Sequence, residues 1–288
     1  MQTTDPRPKV LFSDLDRTFL THAYTIHPRT AAAMETARSA GLRIVFVTAR
    51  APGSLRRVLD PLGWRGRAVC FNGAWIGDLE RGAAIWSERM PAETAAAIME
   101  DVRAQGADPI WYGDEEILIQ RETPAIAWQL GKVGEQATVT RDFTARREGP
   151  FKILCVDGRT PGCFDALRGR WSGSVQVAQS HQMLLEVGPQ GVSKGAAIRR
   201  LMAELDLRPA ECAAVGDAEN DLSMLEAVGS PATVGNAIAA VKRRASYVGA
   251  SCDEGGFADV VDWLVGRPPR GIPIGPGESE RGCNGPSA

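Results

Sequence analysis

The chain has 288 residues, a net charge of −2, 44% hydrophobic and 24% charged residues, ordinary for a soluble globular protein of one large or two modest domains. No basic stripe stands out, which argues against a nucleic-acid partner bound by charge, and no apolar run reaches the roughly 20 residues of a membrane helix. The N-terminus lacks the apolar centre of a signal peptide, and the six cysteines (Cys70, Cys155, Cys163, Cys212, Cys252, Cys283) form no CxxC pair, which fits a reducing cytoplasm and no zinc site.

Strand and helix alternate through the first third. Val10–Ser13 reads as a strand, 28–40 as a helix stopped by Gly41, Arg43–Val47 as a strand, 53–62 as a helix stopped by Gly63, and 68–71 as a strand. Such alternation implies right-handed crossovers and a parallel sheet. The pattern then changes. Segments 74–76 and 83–86 flank the polar stretch 78–82 as a hairpin, 91–105 is a helix closed by Gly106, and short strands are expected near 110–112, 117–120, 151–156, 175–178 and 183–187, with a helix near 161–170. From Gly191 the alternation returns: helix 194–205, strand 212–215, helix 222–228, strand 232–234 and helices 237–244 and 256–265. The expected architecture is α/β, a Rossmann-like parallel core (1–81 and 189–265) interrupted by an α+β cap at 82–188, with a disordered tail at 266–288.

Several polar residues stand at strand ends, where open parallel sheets bind ligands. Asp14 and Asp16 close the first strand, and Asp217, Asn220 and Asp221 follow strand 212–215. If the two strands are neighbours, carboxylates converge in one crevice and repel unless a hard cation sits among them, and oxygen-rich acidic sites suit Mg²⁺. One carboxylate can then attack a phosphoryl group while a second, two residues along on the same side of an extended chain, moves protons. Asp-x-Asp also serves simply to cap a turn. Thr48, after strand 43–47, offers a hydroxyl to a phosphate oxygen or caps the next helix. Lys194 follows Ser193, a natural N-cap, so its charge lies at the unfavourable end of the helix dipole unless an anion binds there. It is one of only 5 lysines against 28 arginines; a solvated surface lysine is the other reading. Asn220 and Asp221 can cap the next helix as well as support the metal or phosphate, capping alone explaining Asp221 nearly as well, and Asn72-Gly73 reads as a hairpin turn or as a turn that positions the insert. Four of the seven tryptophans (Trp86, Trp111, Trp128, Trp171) fall in the insert, to pack its core or to cover a ligand ring. Lys152 and His181 are weaker candidates for ligand contact.

Four of these signals occur in one order: Asp-Leu-Asp-Arg-Thr (14–18), Val-Thr-Ala-Arg (47–50), Gly-Val-Ser-Lys (191–194) and Gly-Asp-Ala-Glu-Asn-Asp (216–221). With Phe71-Asn72-Gly73-Ala74, Leu185-Glu186-Val187, Val234-Gly235-Asn236-Ala237 and Glu254-Gly255-Gly256, the set resembles the haloacid dehalogenase superfamily, specifically the Cof-type phosphatases with a large C2-type cap between the second and third motifs. The resemblance covers about residues 8–265. It implies Asp14 as nucleophile and metal ligand, and Asp16 as general acid/base and metal ligand through its carbonyl. Thr48 and Lys194, with Asn220, would hold the phosphate, Asp217 would bind Mg²⁺, and Asp221, Ala49 and Asn72 would support them. The implied activity is Mg²⁺-dependent hydrolysis of a small-metabolite phosphomonoester (sugar phosphate, nucleotide, flavin mononucleotide or pyridoxal phosphate) through an aspartyl-phosphate. A sugar phosphomutase and a non-catalytic phospho-ligand binding protein are the alternatives on the same fold. Two positions depart from the family: Arg17 replaces a glycine in the first motif, and Ala49 replaces one after Thr48. The sequence gives no reading of substrate identity or oligomeric state.

Overall fold

The structure is a computed structural model that describes residues 7–114, 116–140, 142–156, 160–268 and 272–273. In chain order the first elements are β1 (Val10–Ser13), α1 (Pro28–Ser39), β2 (Arg43–Val47), α2 (Pro52–Leu59), β3 (Arg67–Cys70), β4 (Trp75–Asp78) and β5 (Ala83–Ser87). There follow α3 (Ala92–Ala104), β6 (Asp108–Tyr112), β7 (Ile117–Ile119), α4 (Pro124–Val133), β8 (Thr138–Val139), β9 (Lys152–Val156), α5 (Cys163–Trp171), β10 (Gln176–His181) and β11 (Leu184–Gly188). The last are α6 (Lys194–Glu204), β12 (Cys212–Gly216), α7 (Leu222–Leu225), β13 (Ser230–Thr233), α8 (Ala239–Lys242), β14 (Tyr247–Val248), α9 (Gly256–Leu264) and β15 (Ile272–Pro273). The remainder of the expected tail, 269–271 and 274–288, lies outside the described residues.

Contacts divide the chain into two compact units, the first formed by the described residues of Met1–Ile44, Leu207–Asp217 and Leu225–Ala288. Here β1 pairs in parallel with β12, β12 with β13 and β13 with β14, while β15 adds antiparallel to β14. β1 and β12 are apolar and fully buried, as strands covered on both faces must be. Helix α1 starts on Pro28, with the His27 ring accepting from Arg29 N (3.1 Å), and packs against α9. Phe19 meets Phe257 edge-on at 5.0 Å, and Tyr247 stacks on Trp263 at 5.1 Å. Arg29 joins these helices by reaching the buried Asp259 at 2.6 Å, and Asp259 also accepts from Ala250 N at 2.9 Å.

Four elements of this unit differ from the sequence expectation. β13 begins two residues early because it aligns Ser230 with Ala213 across Pro231, and a proline conceals a strand. Helix α8 is confined to Ala239–Lys242 because the preceding backbone is used elsewhere: Ile238 N donates to Asp217 O at 3.0 Å. β14 and β15, of two residues each, carry no periodic signal.

The second unit comprises Val45–Asp206 and Ala218–Met224. β2 and β3 are parallel, and β3, β4 and β5 continue as an antiparallel meander with an irregularity between Ile76 and Gly77. A separate six-stranded sheet runs β10-β11-β9-β6-β7-β8, all antiparallel but for β7–β8. Helices α3 and α5 cover it over a core that includes Ile98, Met99, Val102, Trp111, Ile153, Cys155, Leu167 and Leu185. Helix α4, which the sequence reading left out, has local signals: Thr123 accepts from Ile126 N (3.2 Å), Pro124 stands first, and Gly134 ends it at φ 64°.

Candidate active site

In the first unit the register sets Val10 beside Cys212 and Ser13 beside Val215, so both strands finish together. Asp14 follows β1 and Asp217 follows β12, and each directs a carboxylate oxygen to within 4.8 Å of the other. Both are buried, at 6% exposure. Asp14 N donates to Val215 O (2.9 Å), Thr18 Oγ1 donates to Asp217 Oδ1 (3.1 Å), and Thr233 Oγ1 donates to Gly216 O (2.6 Å). Asp16 opens the turn that carries the chain away from Asp14. Its neighbour Arg17 lies at φ 61°, where glycine is at ease and other residues are strained, and Asn236 Nδ2 holds the Arg17 carbonyl at 2.8 Å. The glycine usual at this position therefore has a conformational reason.

Two buried carboxylates this close repel each other, and their donors are hard oxygens. That set fits a divalent cation of the Mg²⁺ kind, for which Asp14 and Asp217 are the available ligands.

The second unit assembles the other candidates. Thr48 is fully buried after β2; its hydroxyl accepts from Arg50 N (3.2 Å) and its carbonyl from Asn72 N (3.0 Å). Phe71, Asn72 and Gly73 all have positive φ (51°, 55° and 110°), a strained turn. A Cβ on Gly73 would stand 2.5 Å from Ser193 O, so the turn closes tightly on the start of α6. Asn72 Oδ1 accepts from Asn220 Nδ2 at 3.0 Å, which makes this more than a hairpin turn.

Lys194 is not a surface residue: it is 1% exposed, and its Nζ lies 2.7 Å from Asp221 Oδ1. Ser193 caps α6 by accepting from Ala196 N (3.1 Å). The lysine at the positive end of the helix thus faces an anion, a carboxylate of the chain itself. Asp221 Oδ2 also accepts from Ala218 N at 3.0 Å, so capping and ion pairing coexist.

A further polar group joins Lys152, a weaker candidate from the sequence, to Glu186 of the Leu185-Glu186-Val187 match. Lys152 Nζ donates to Ala49 O (2.6 Å) and lies 3.0 Å from Glu186 Oε2, both side chains being about 6% exposed. Ser180 donates to the other Glu186 oxygen at 2.9 Å. Glu186 sits opposite Leu154 on β9, so Lys152 is its diagonal neighbour on one face. A glutamate within the apolar run Leu184-Leu185-Glu186-Val187 was the available signal. Nearby, Tyr112 donates to Glu135 Oε2 at 3.0 Å. Burial raises both the Glu135 carboxyl and the Tyr112 phenol above their ordinary values. The tryptophans divide: Trp111 fills the core, Trp171 bonds Asp101 at 2.7 Å, and Trp128 is 42% exposed beneath Lys132. His181 accepts from Met183 N at 3.2 Å within a turn.

Fold and site together define an α/β enzyme, with a Rossmann-like parallel core and an inserted α+β cap. A model of the haloacid dehalogenase-like hydrolases matches residues 11–261. Among curated proteins, an HMP-PP phosphatase of Yersinia pseudotuberculosis is 28% identical over 275 residues, spanning 87% of this chain and 93% of that protein. Among solved structures, a haloacid dehalogenase-like hydrolase from B. subtilis aligns with a TM-score of 0.81 at 23% identity, covering 88% of this chain and 99% of that one. Another, from Bacteroides thetaiotaomicron, gives 0.78 at 25% identity over 89% and 99%. The chain belongs to the haloacid dehalogenase-like hydrolases, in their Cof-type branch, and is a phosphoric monoester hydrolase.

Proposed function

We propose that the chain hydrolyses the phosphomonoester of a small metabolite through an aspartyl-phosphate on Asp14, with Mg²⁺ as cofactor. The observation that carries this reading is the buried pair Asp14 and Asp217 at the ends of paired parallel strands, with Asp16 in the adjoining turn. Asp14 attacks phosphorus, and the phosphorus–oxygen bond to the leaving group breaks. Asp16 gives its proton to the departing alkoxide, then takes one from the water that attacks the phosphorylated Asp14. Inorganic phosphate leaves and Asp14 is regenerated. Bound by Asp14, the Asp16 carbonyl and Asp217, the magnesium ion would neutralise charge on the phosphoryl oxygens.

Thr48, Lys194 and Asn220 hold the phosphate in this reading, while Asp221 orients Lys194, and Asn72 orients Asn220. Ala49 is a supporting residue through its carbonyl, which anchors Lys152. Residues 82–188 form the specificity cap on a core of 1–81 and 189–265. The HMP-PP phosphatases supply a precedent for a small phosphorylated substrate. A cytoplasmic setting is supported by cysteines buried in apolar strands, such as Cys70, Cys155 and Cys212.

Asp14→Asn should lower phosphate release from an aryl phosphate by at least about 10³-fold, as expected on losing a nucleophile. Full turnover in that variant would refute the covalent route, and phosphoryl migration without inorganic phosphate would turn the reading toward a mutase.

A further inference from the structure

A second set of metal-ligating side chains lies in the first unit, in the loop after β1 and the short turn before α9. His22, Cys252 and Asp253 each present one donor atom, all within 4.8 Å of one another. His22 Nδ1 is 2.8 Å from Asp253 Oδ2 and 3.4 Å from Cys252 Sγ, and Sγ is 3.9 Å from Asp253 Oδ1. A tetrahedral zinc ion, with Zn–S near 2.3 Å and Zn–N and Zn–O of about 2.0–2.1 Å, has ligand–ligand edges of roughly 3.3–3.6 Å. The sulfur–nitrogen edge already has this length. The nitrogen–oxygen edge must open by about half an ångström, which the exposed Asp253 side chain permits.

We propose that His22, Cys252 and Asp253 form a zinc site separate from the catalytic carboxylates, with solvent as the fourth ligand. The frame that holds the three residues is already built. Asp253 Oδ1 accepts from His22 N (2.9 Å), Cys252 N donates to Asn236 Oδ1 (2.8 Å), and Ser251 Oγ accepts from Asp253 N (3.4 Å). A loop clip alone needs only the His22–Asp253 pair; it leaves unexplained a buried thiol aimed at the same ring nitrogen. The imidazole and carboxylate side chains are 39% and 52% exposed, which gives the ion a way in. When zinc binds, the Cys252 S–H bond breaks, its proton goes to solvent, and the thiolate and carboxylate together balance the 2+ charge. Sulfur and imidazole favour zinc over magnesium, unlike the all-oxygen pair Asp14 and Asp217. Asn236 links the site to the catalytic loop, because its Nδ2 holds the Arg17 carbonyl.

Cobalt titration of the metal-free full chain tests this. The wild type should develop a sulfur-to-cobalt charge-transfer band and intense tetrahedral visible bands at one equivalent. Zinc should abolish both, and excess magnesium neither. Cys252→Ser should remove the charge-transfer band, whereas Cys283→Ser, outside the described residues, should keep it. His22→Ala, at a partly exposed side chain, should weaken cobalt binding at least about tenfold even if the cysteine variant fails to fold. Absence of a sulfur band in the wild type, a band unchanged in Cys252→Ser, or only weak octahedral bands would overturn the site. Because these readouts are spectroscopic, failure of the catalytic reading does not alter them.

Discussion

The pair Lys194 and Asp221 shows what a single residue carries. Both side chains are 1% exposed and 2.7 Å apart, so removing one takes a charge-assisted hydrogen bond from a charge that stays buried. Lys194→Met should cost about 3–5 kcal/mol in urea unfolding, and adding Asp221→Asn should recover part of the loss. Arg17 is the opposite case. A left-handed non-glycine residue costs roughly 1–2 kcal/mol, and glycine gives back about 0.5–1 through the unfolded chain. Arg17→Gly should therefore raise stability by about 0.5–1 kcal/mol, which the denaturation midpoint would register. At this scale legibility depended on locality. Lys194 was visible because Ser193 beside it marked a helix start. The set His22, Cys252 and Asp253 was not, and the absence of CxxC spacing pointed away from zinc, because the ligands come from opposite ends of the chain. The bond between Lys152 and Ala49 spans a separation of 103 residues, which no window reveals.

Among elements, the starts of β1 and β12 are clamped by Glu211. Lys9 N donates to the Glu211 carbonyl at 2.7 Å, and its ammonium reaches the carboxylate at 2.5 Å. Arg208 adds a backbone and a guanidinium bond, at 3.0 and 3.1 Å. These hydrogen bonds, from Lys9 first and then Arg208, hold the Glu211 carboxyl at about 2, against an ordinary 4.5. A carboxyl lowered on folding adds stability above its unfolded value and loses it as pH falls toward the folded one. The Tm advantage of wild type over Glu211→Gln should hold above pH 4.5 and shrink between about 4.5 and 2. Long parallel strands and capped helices were readable because burial on both faces and 3.6-residue periodicity leave strong marks, as β1, β12 and α6 show. Helix α4 was missed among short strands although Thr123-Pro124 marked its start. β13 was misplaced because Pro231 lies inside it.

For the whole molecule, the α/β class followed from strand–helix alternation at both ends of the chain and its loss between them. The candidate site was legible as four ordered motifs, because each requires a particular backbone at a strand or helix end. Around Glu186 only the parts were legible, as the Leu185-Glu186-Val187 match and Lys152 taken singly, because their pairing crosses from one strand to the next. The central claim is that phosphoryl transfer passes through Asp14, and rapid acid quench followed by peptide mass spectrometry tests it most directly. With Mg²⁺ and an activated aryl phosphate, whose phenolate leaves without a proton, Asp16→Ala should accumulate one phosphoryl group on the peptide containing Asp14, and Asp14→Asn none. Steady phosphate release by the wild type, with no adduct at Asp14 in either the wild type or Asp16→Ala, would contradict the account.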